Sequence, residues 1–92
     1  MDIDQAKQQY SEELSKTIGM IKKCYAEVLD LKLSQINEHT DFILDLGGTS
    51  MDYYNLINKI SIATGKEVSL VNSKALTTPL DFALHLSKTK NL

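Results

Sequence analysis

Apolar residues recur along the first third of the chain with the period of a helix. Tyr10, Leu14, Ile18, Ile21, Tyr25 and Val28 follow one another at steps of four, four, three, four and three, the spacing that lines one face of an α-helix. Leu29 widens the stripe, and the pattern predicts a helix over residues 4–30 with its first residues frayed. Gly19 costs that helix about 1 kcal/mol relative to alanine; a bend or the close approach of another element is the expected reason for it.

The period then stops. "LKLSQINEHTDFILDLGGT", residues 31–49, is long for a connection in a compact domain, so short structure of its own or a functional role is expected. Leu33, Ile36, Phe42, Leu44 and Leu46 supply apolar groups to pack it down. Gly47 and Gly48 supply backbone freedom for a tight turn. Helical spacing resumes with a second helix predicted from Ser50 to Thr64 and stopped by Gly65. On a wheel turning about 100° per residue, Tyr53, Leu56, Ile57, Ile60 and Ala63 form the core face. Met51, Asn55, Asn58 and Ile62 form the opposite stripe, with Tyr54 at its margin.

"KEVSLVNSKALTT" reads as a loop, since Val68, Leu70 and Val71 would make a lone strand without a partner. A short turn of helix is expected near Ser73–Leu76. The last helix has a clear start: Thr78 as cap, Pro79 in the first helical position, and Asp81 three residues after the threonine. Leu80, Ala83 and Leu84 should face inward, with Phe82 and Leu86 beside them. The expected fold is all-α, a small four-helix bundle of three main helices and a short third one, with a long loop between the first two.

Length and composition narrow the class. The 92 residues suit one domain, residues 1–92, and 42% hydrophobic residues exclude a disordered tail. Twelve acids against ten basic residues leave no concentrated basic patch for nucleic acid. No apolar run approaches the ~20 residues of a membrane span, and "MDIDQAKQQYSEEL" lacks the pattern of a signal peptide. The cytoplasm and a monomeric state are the expectations. Cys24 has no partner for an internal disulfide and is expected to be a partly buried structural thiol. His39 and His85 lack the spacing of a zinc site, and no metal is expected. Residues 38–58 hold Glu38, Asp41, Asp45 and Asp52 and no lysine or arginine. Such a segment is a poor phosphate-cradling loop, and would attract a basic partner surface.

Ser50 is the residue that chemistry singles out, and two readings are open. It is a good N-cap, although Thr49 beside it serves equally well. It is also a serine in the first turn of a helix behind two glycines, where the helix N-terminus would stabilise a phosphate diester on its oxygen. A self-sufficient nucleophile is not expected, because neither histidine has a sequence reason to lie beside it. "GGTS" is neither a G-x-S-x-G elbow nor a P-loop.

The stretch "TDFILDLGGTSMDYYNLINKI" resembles the thiolation motif of peptidyl carrier domains from nonribosomal peptide synthetases, within the acyl and peptidyl carrier family. Asp41, Leu46, Gly47, Gly48, Ser50 and Met51 match the motif. "IKKCYAEVLDLKLSQINEHTDF" is similar to the family's first helix and long loop, and "LTTPLDFALHL" to its final helix. The likeness spans most of residues 18–87, with 1–17 as an N-terminal extension. The wider acyl carrier family has Asp-Ser-Leu where this chain has Thr49-Ser50-Met51, which sets it nearer the peptidyl or aryl branch. The family's aromatic pair is replaced by Ile43 and Leu44, with Phe42 next door to fill the space.

The resemblance implies a fold of acyl-carrier type and a function that is not enzymatic. Ser50, flanked by Gly47, Gly48 and Thr49, would receive 4′-phosphopantetheine covalently from coenzyme A through a phosphopantetheinyl transferase. The arm would then hold an aminoacyl, peptidyl or acyl thioester. Partners would be an adenylation or ligase enzyme, then condensation, tailoring or thioesterase enzymes. The outward stripe of Met51, Tyr54, Asn55, Asn58 and Ile62 is the expected docking face, unless the loop or the short helix covers it. The competing class is an unmodified helical interaction module in which Ser50 only caps.

Overall fold

A computed structural model describes residues 11–68 and 76–87. In chain order they form α1 (Glu12–Leu29), a 3-10 turn (Leu33–Gln35), α2 (Ser50–Thr64) and α3 (Pro79–Ser87). The expected short helix near Ser73–Leu76 lies outside the described residues, apart from Leu76, which is not helical. Among the described residues the bundle therefore has three helices and one 3-10 turn, all-α as expected. None of these helices is long and apolar enough to cross a membrane.

α1 starts later than its hydrophobic stripe suggests. Ser11 is extended, at φ −62° and ψ 161°, and its hydroxyl accepts the Leu14 N–H at 3.0 Å. That cap fixes Glu12 as the first helical residue, so one unbroken helix over 4–30 is corrected. Residues 4–10, Tyr10 included, lie outside the described residues. Glu12 and Glu13 then sit in the first turn, where negative charge suits the helix N-terminus. Ile18, Ile21, Cys24 and Tyr25 are buried, and Leu14, Val28 and Leu29 pack partly against them. A Cβ at Gly19 would meet nothing within 4 Å, so the close approach expected there is not made by any described residue.

α2 has the predicted bounds and ends at Gly65 in the left-handed conformation, φ 69°. Leu56, Ile57 and Ile60 are buried and Tyr53 partly so. Ala63, expected in the core, is exposed, because it stands about 60° from the centre of the buried face. In α3 the buried residues are Pro79, Phe82, Ala83 and Leu86, one stripe at steps of three, one and three. Leu84, also expected inside, is 43% exposed; it lies about 140° round the helix from Pro79.

α1 packs against both α2 and α3. Where they meet, Tyr25 stands edge-on to Phe42 and Phe82, with ring centroids 5.1 and 6.3 Å away. Tyr53 closes the cluster, 6.0 Å from Phe42 and 6.3 Å from Phe82. Aromatic pairs at these distances add about 0.5–1.5 kcal/mol each beyond area burial. The long loop thus contributes a ring to the centre of the core. Ile36 is buried beside it and Leu46 partly so, while Leu33 and Leu44, both expected to pack down, are exposed.

Candidate functional site

The segment that delivers Ser50 is wound around Asp41. One carboxylate oxygen accepts the N–H groups of Ile43 (2.9 Å) and Leu44 (2.7 Å). The other accepts the Thr77 hydroxyl at 2.7 Å. The Asp41 carbonyl accepts the N–H groups of Asp45 and Leu46, and the Asp45 carboxylate accepts the Asp41 N–H. Partial burial opposes ionisation of Asp41; the hydrogen bonds from Leu44, Thr77 and Ile43 outweigh it and hold its pKa below the usual aspartate value.

The two glycines after this turn have different physical reasons. Gly47 has φ +69°, a conformation that side chains disfavour. Gly48 lies flat against the buried Phe42 ring: a Cβ there would come within 2.6 Å of Phe42 Cδ2 and closer still to Cε2. The Gly48 N–H also donates to the Phe42 carbonyl at 2.9 Å. Phe42 is fully buried, Ile43 38% exposed and Leu44 84% exposed. Phe42 therefore takes the core position expected of it, and its two neighbours face outward.

α2 opens on a reciprocal cap. The Thr49 hydroxyl accepts the Asp52 N–H at 3.1 Å, and the Asp52 carboxylate accepts the Thr49 N–H at 3.0 Å. Thr49 is the N-cap and Ser50 the first helical residue. The cap reading of Ser50 is thereby corrected. A signal for it was present in the chain, because Asp52 follows Thr49 by three residues, as Asp81 follows Thr78.

Ser50 is exposed, and neither its hydroxyl nor its N–H, nor the Met51 N–H, is engaged by any described residue. Neither histidine therefore serves it as a base; His39 is instead an exposed neighbour of Glu38, 4.0 Å away. The acidic neighbourhood is less hostile to a phosphate than its composition suggests, since Asp41 and Asp52 are both tied to N–H groups. A serine oxygen with free N–H groups at a helix N-terminus accommodates a phosphodiester.

Beyond Ser50 the outward stripe is open. Met51 is 72% exposed, Tyr54 58% and Ile62 74%, and Asn55 and Asn58 are exposed between them. Neither the loop nor any described element covers them. Cys24 is buried, and burial, helped by Glu27 and opposed by Lys59, pushes its thiol pKa up, which suits a structural thiol. Burial likewise raises the Tyr25 pKa, with Tyr53, Asp41 and Asp81 adding to it. Its hydroxyl donates to the Thr77 carbonyl at 2.5 Å.

A family model described as phosphopantetheine attachment site matches residues 20–86. No curated protein matches the chain. The matched span runs from α1 through the Asp41 turn and Ser50 into the last turn of α3. Proteins of this family carry 4′-phosphopantetheine covalently, are modified by a phosphopantetheinyl transferase, and generally serve partner enzymes as carriers without catalysing a reaction themselves. With most of its length inside the match, the chain belongs to the phosphopantetheine-attachment family of carrier proteins.

Proposed function

We propose that Ser50 is the attachment residue and that the chain is a peptidyl carrier of the nonribosomal peptide type. The observation that carries the first part is the division of labour at the start of α2. Thr49 makes the cap, so the Ser50 hydroxyl is left exposed, first in the helix and unbonded to any described residue. The N–H groups of Ser50 and Met51 would hold the non-bridging oxygens of a phosphodiester there. The arm, once bound, supplies a terminal thiol on which an aminoacyl, peptidyl or acyl group rides as a thioester. Loading joins the serine oxygen to the pantetheine-side phosphorus of coenzyme A as the pyrophosphate bond breaks and adenosine 3′,5′-bisphosphate leaves. The serine proton goes to a base of the transferase, since no described residue bonds to that hydroxyl.

The peptidyl assignment is supported by Gly47-Gly48-Thr49-Ser50-Met51, which replaces the Asp-Ser-Leu of other acyl carriers. In the same reading, the transferase, an adenylation or ligase enzyme, and condensation, tailoring or thioesterase enzymes dock on Met51, Tyr54, Asn55, Asn58 and Ile62. An exposed helix face with spaced apolar groups suits a partner groove. The encounters take place in the cytoplasm, with the carrier as a monomer. Met51→Ala or a charge at Asn58 is expected to slow loading without unfolding the bundle; unchanged kinetics would remove this face from the reading.

The test is the intact mass of the protein from its native host. A surplus equal to one arm plus an aminoacyl group, of which hydroxylamine removes only the acyl part, is the expected result. An unmodified native protein contradicts it, and an arm bearing a fatty acyl group contradicts the peptidyl assignment alone.

A further inference from the structure

Thr77 lies far along the chain from the Ser50 loop yet holds it at two points. Its hydroxyl donates to Asp41 at 2.7 Å, and its carbonyl accepts the Phe42 N–H at 2.8 Å. The residue is itself held by the core: the Tyr25 hydroxyl donates to the same Thr77 carbonyl, and the Tyr53 hydroxyl to the Leu76 carbonyl. From Thr77 an unbroken path leads to the serine. Asp41 gathers the N–H groups of Ile43 and Leu44, Phe42 holds Gly48 by ring contact and by its carbonyl, and Gly48 leads directly into the Thr49 cap.

The two attachments differ in what they secure. The carbonyl bonds tie backbone to backbone and to Tyr25, and survive any change of the side chain at position 77. The hydroxyl bonds only to the carboxylate that shapes the exposed turn. Without it, Asp41 keeps its own local N–H partners, and among the described residues the turn beyond Phe42 is tied to the bundle by the partly buried Leu46 side chain, with no polar bond in its place. The core is untouched, so the first consequence of losing it is more frequent local opening of the turn.

We propose that Thr77 is a positioning residue for modification at Ser50: through Asp41, its hydroxyl holds the 41–48 turn in the form a transferase recognises beside the serine. This rests on Ser50 being the attachment residue. When only a fraction of the carrier has the competent turn, apparent affinity falls by that fraction and turnover at saturation does not. Thr77→Val should therefore raise KM for the carrier by as much as about tenfold, the low end for a hydrogen bond to a charged group and the limit reached when the open turn predominates, with kcat unchanged.

The experiment compares wild type, Thr77→Val, Thr77→Ser, Asp41→Asn and the Thr77→Val/Asp41→Asn pair, all at a temperature where each is folded by circular dichroism. Loading by coenzyme A and a broad-specificity transferase gives KM and kcat, and amide hydrogen exchange reads the Ile43 and Leu44 N–H groups. The proposal expects raised KM, constant kcat and exchange about tenfold faster at those amides in Thr77→Val. Thr77→Ser should restore KM and exchange to wild-type values, and the paired substitution should be less than additive. Unchanged exchange or unchanged KM in Thr77→Val overturns it, as does a fall in kcat alone. If wild type gains no mass, the Ser50 reading fails by itself, and hydrogen exchange still decides whether Thr77 holds the turn.

Discussion

Two helices of this protein begin the same way and end up with opposite first residues. α2 starts Thr49-Ser50-Met51-Asp52 and α3 starts Thr78-Pro79-Leu80-Asp81. In each, the threonine hydroxyl accepts the N–H of the aspartate three residues on, at 3.1 and 3.0 Å. At α3 the first position is a buried proline, which has no N–H, and the Leu80 N–H that follows donates to the Glu38 carbonyl at 3.0 Å. That helix start is closed by the protein itself. At α2 the first position is an exposed serine, and the N–H groups of Ser50 and Met51 find no described acceptor. The stability of a capped helix start is available without the serine. Its hydroxyl and the free N–H groups beside it are therefore surplus to folding, which is what an attachment site requires.

Moving the serine is the strongest way to break this contrast. Ser50→Ala/Pro79→Ser carries a first-position serine behind the same cap on α3, and it is expected to gain no mass with coenzyme A and transferase. Next in size is Gly48→Ala. The added carbon has to displace the Phe42 ring, and overpacking of this kind costs typically about 1–3 kcal/mol, read as a lower urea midpoint. The caps come third. Thr49→Ala and Thr78→Ala should each cost ~1 kcal/mol, whereas Ser50→Ala should stay within about 0.5 kcal/mol of wild type. A Ser50→Ala cost as large as that of Thr49→Ala would return the cap to Ser50.

The smallest effect is an acid one, and it belongs to the turn and not to the caps. The Asp41 pKa is lowered in the folded state, so the folded protein holds that proton less tightly than the unfolded chain. Its contribution is present above the unfolded value, near 3.8, and is lost as pH falls through the lower folded value. Urea midpoints of wild type and Asp41→Asn should therefore converge on acidification below about pH 4. Midpoints that keep a constant gap would mean that Asp41 is not ionised in the turn.

Local chemistry in the chain predicted local structure well. The bounds of α2, its stop at Gly65 and the Thr78-Pro79 start of α3 rest on residues within one turn of the boundary. What was misread involves either the wheel's margins or distant partners. Ala63 and Leu84 lie where helical periodicity alone does not say how far the neighbouring helix reaches. Leu44 is apolar but has the Asp41 turn beneath it, which turns it outward. The choice between Thr49 and Ser50 as cap was legible in the offset to Asp52. The Thr77–Asp41 bond spans 36 residues, and no pattern of neighbours announces it. The serine proposed for attachment is legible because its whole motif is contiguous; the support that holds the motif in place is not.

The most direct measurement is the intact mass of wild type and Ser50→Ala after incubation with coenzyme A and a broad-specificity phosphopantetheinyl transferase. Wild type should gain the mass of one phosphopantetheine arm, on the peptide that contains Ser50, and Ser50→Ala should gain nothing while remaining folded. No gain in wild type, or an equal gain in Ser50→Ala, would contradict the assignment of Ser50.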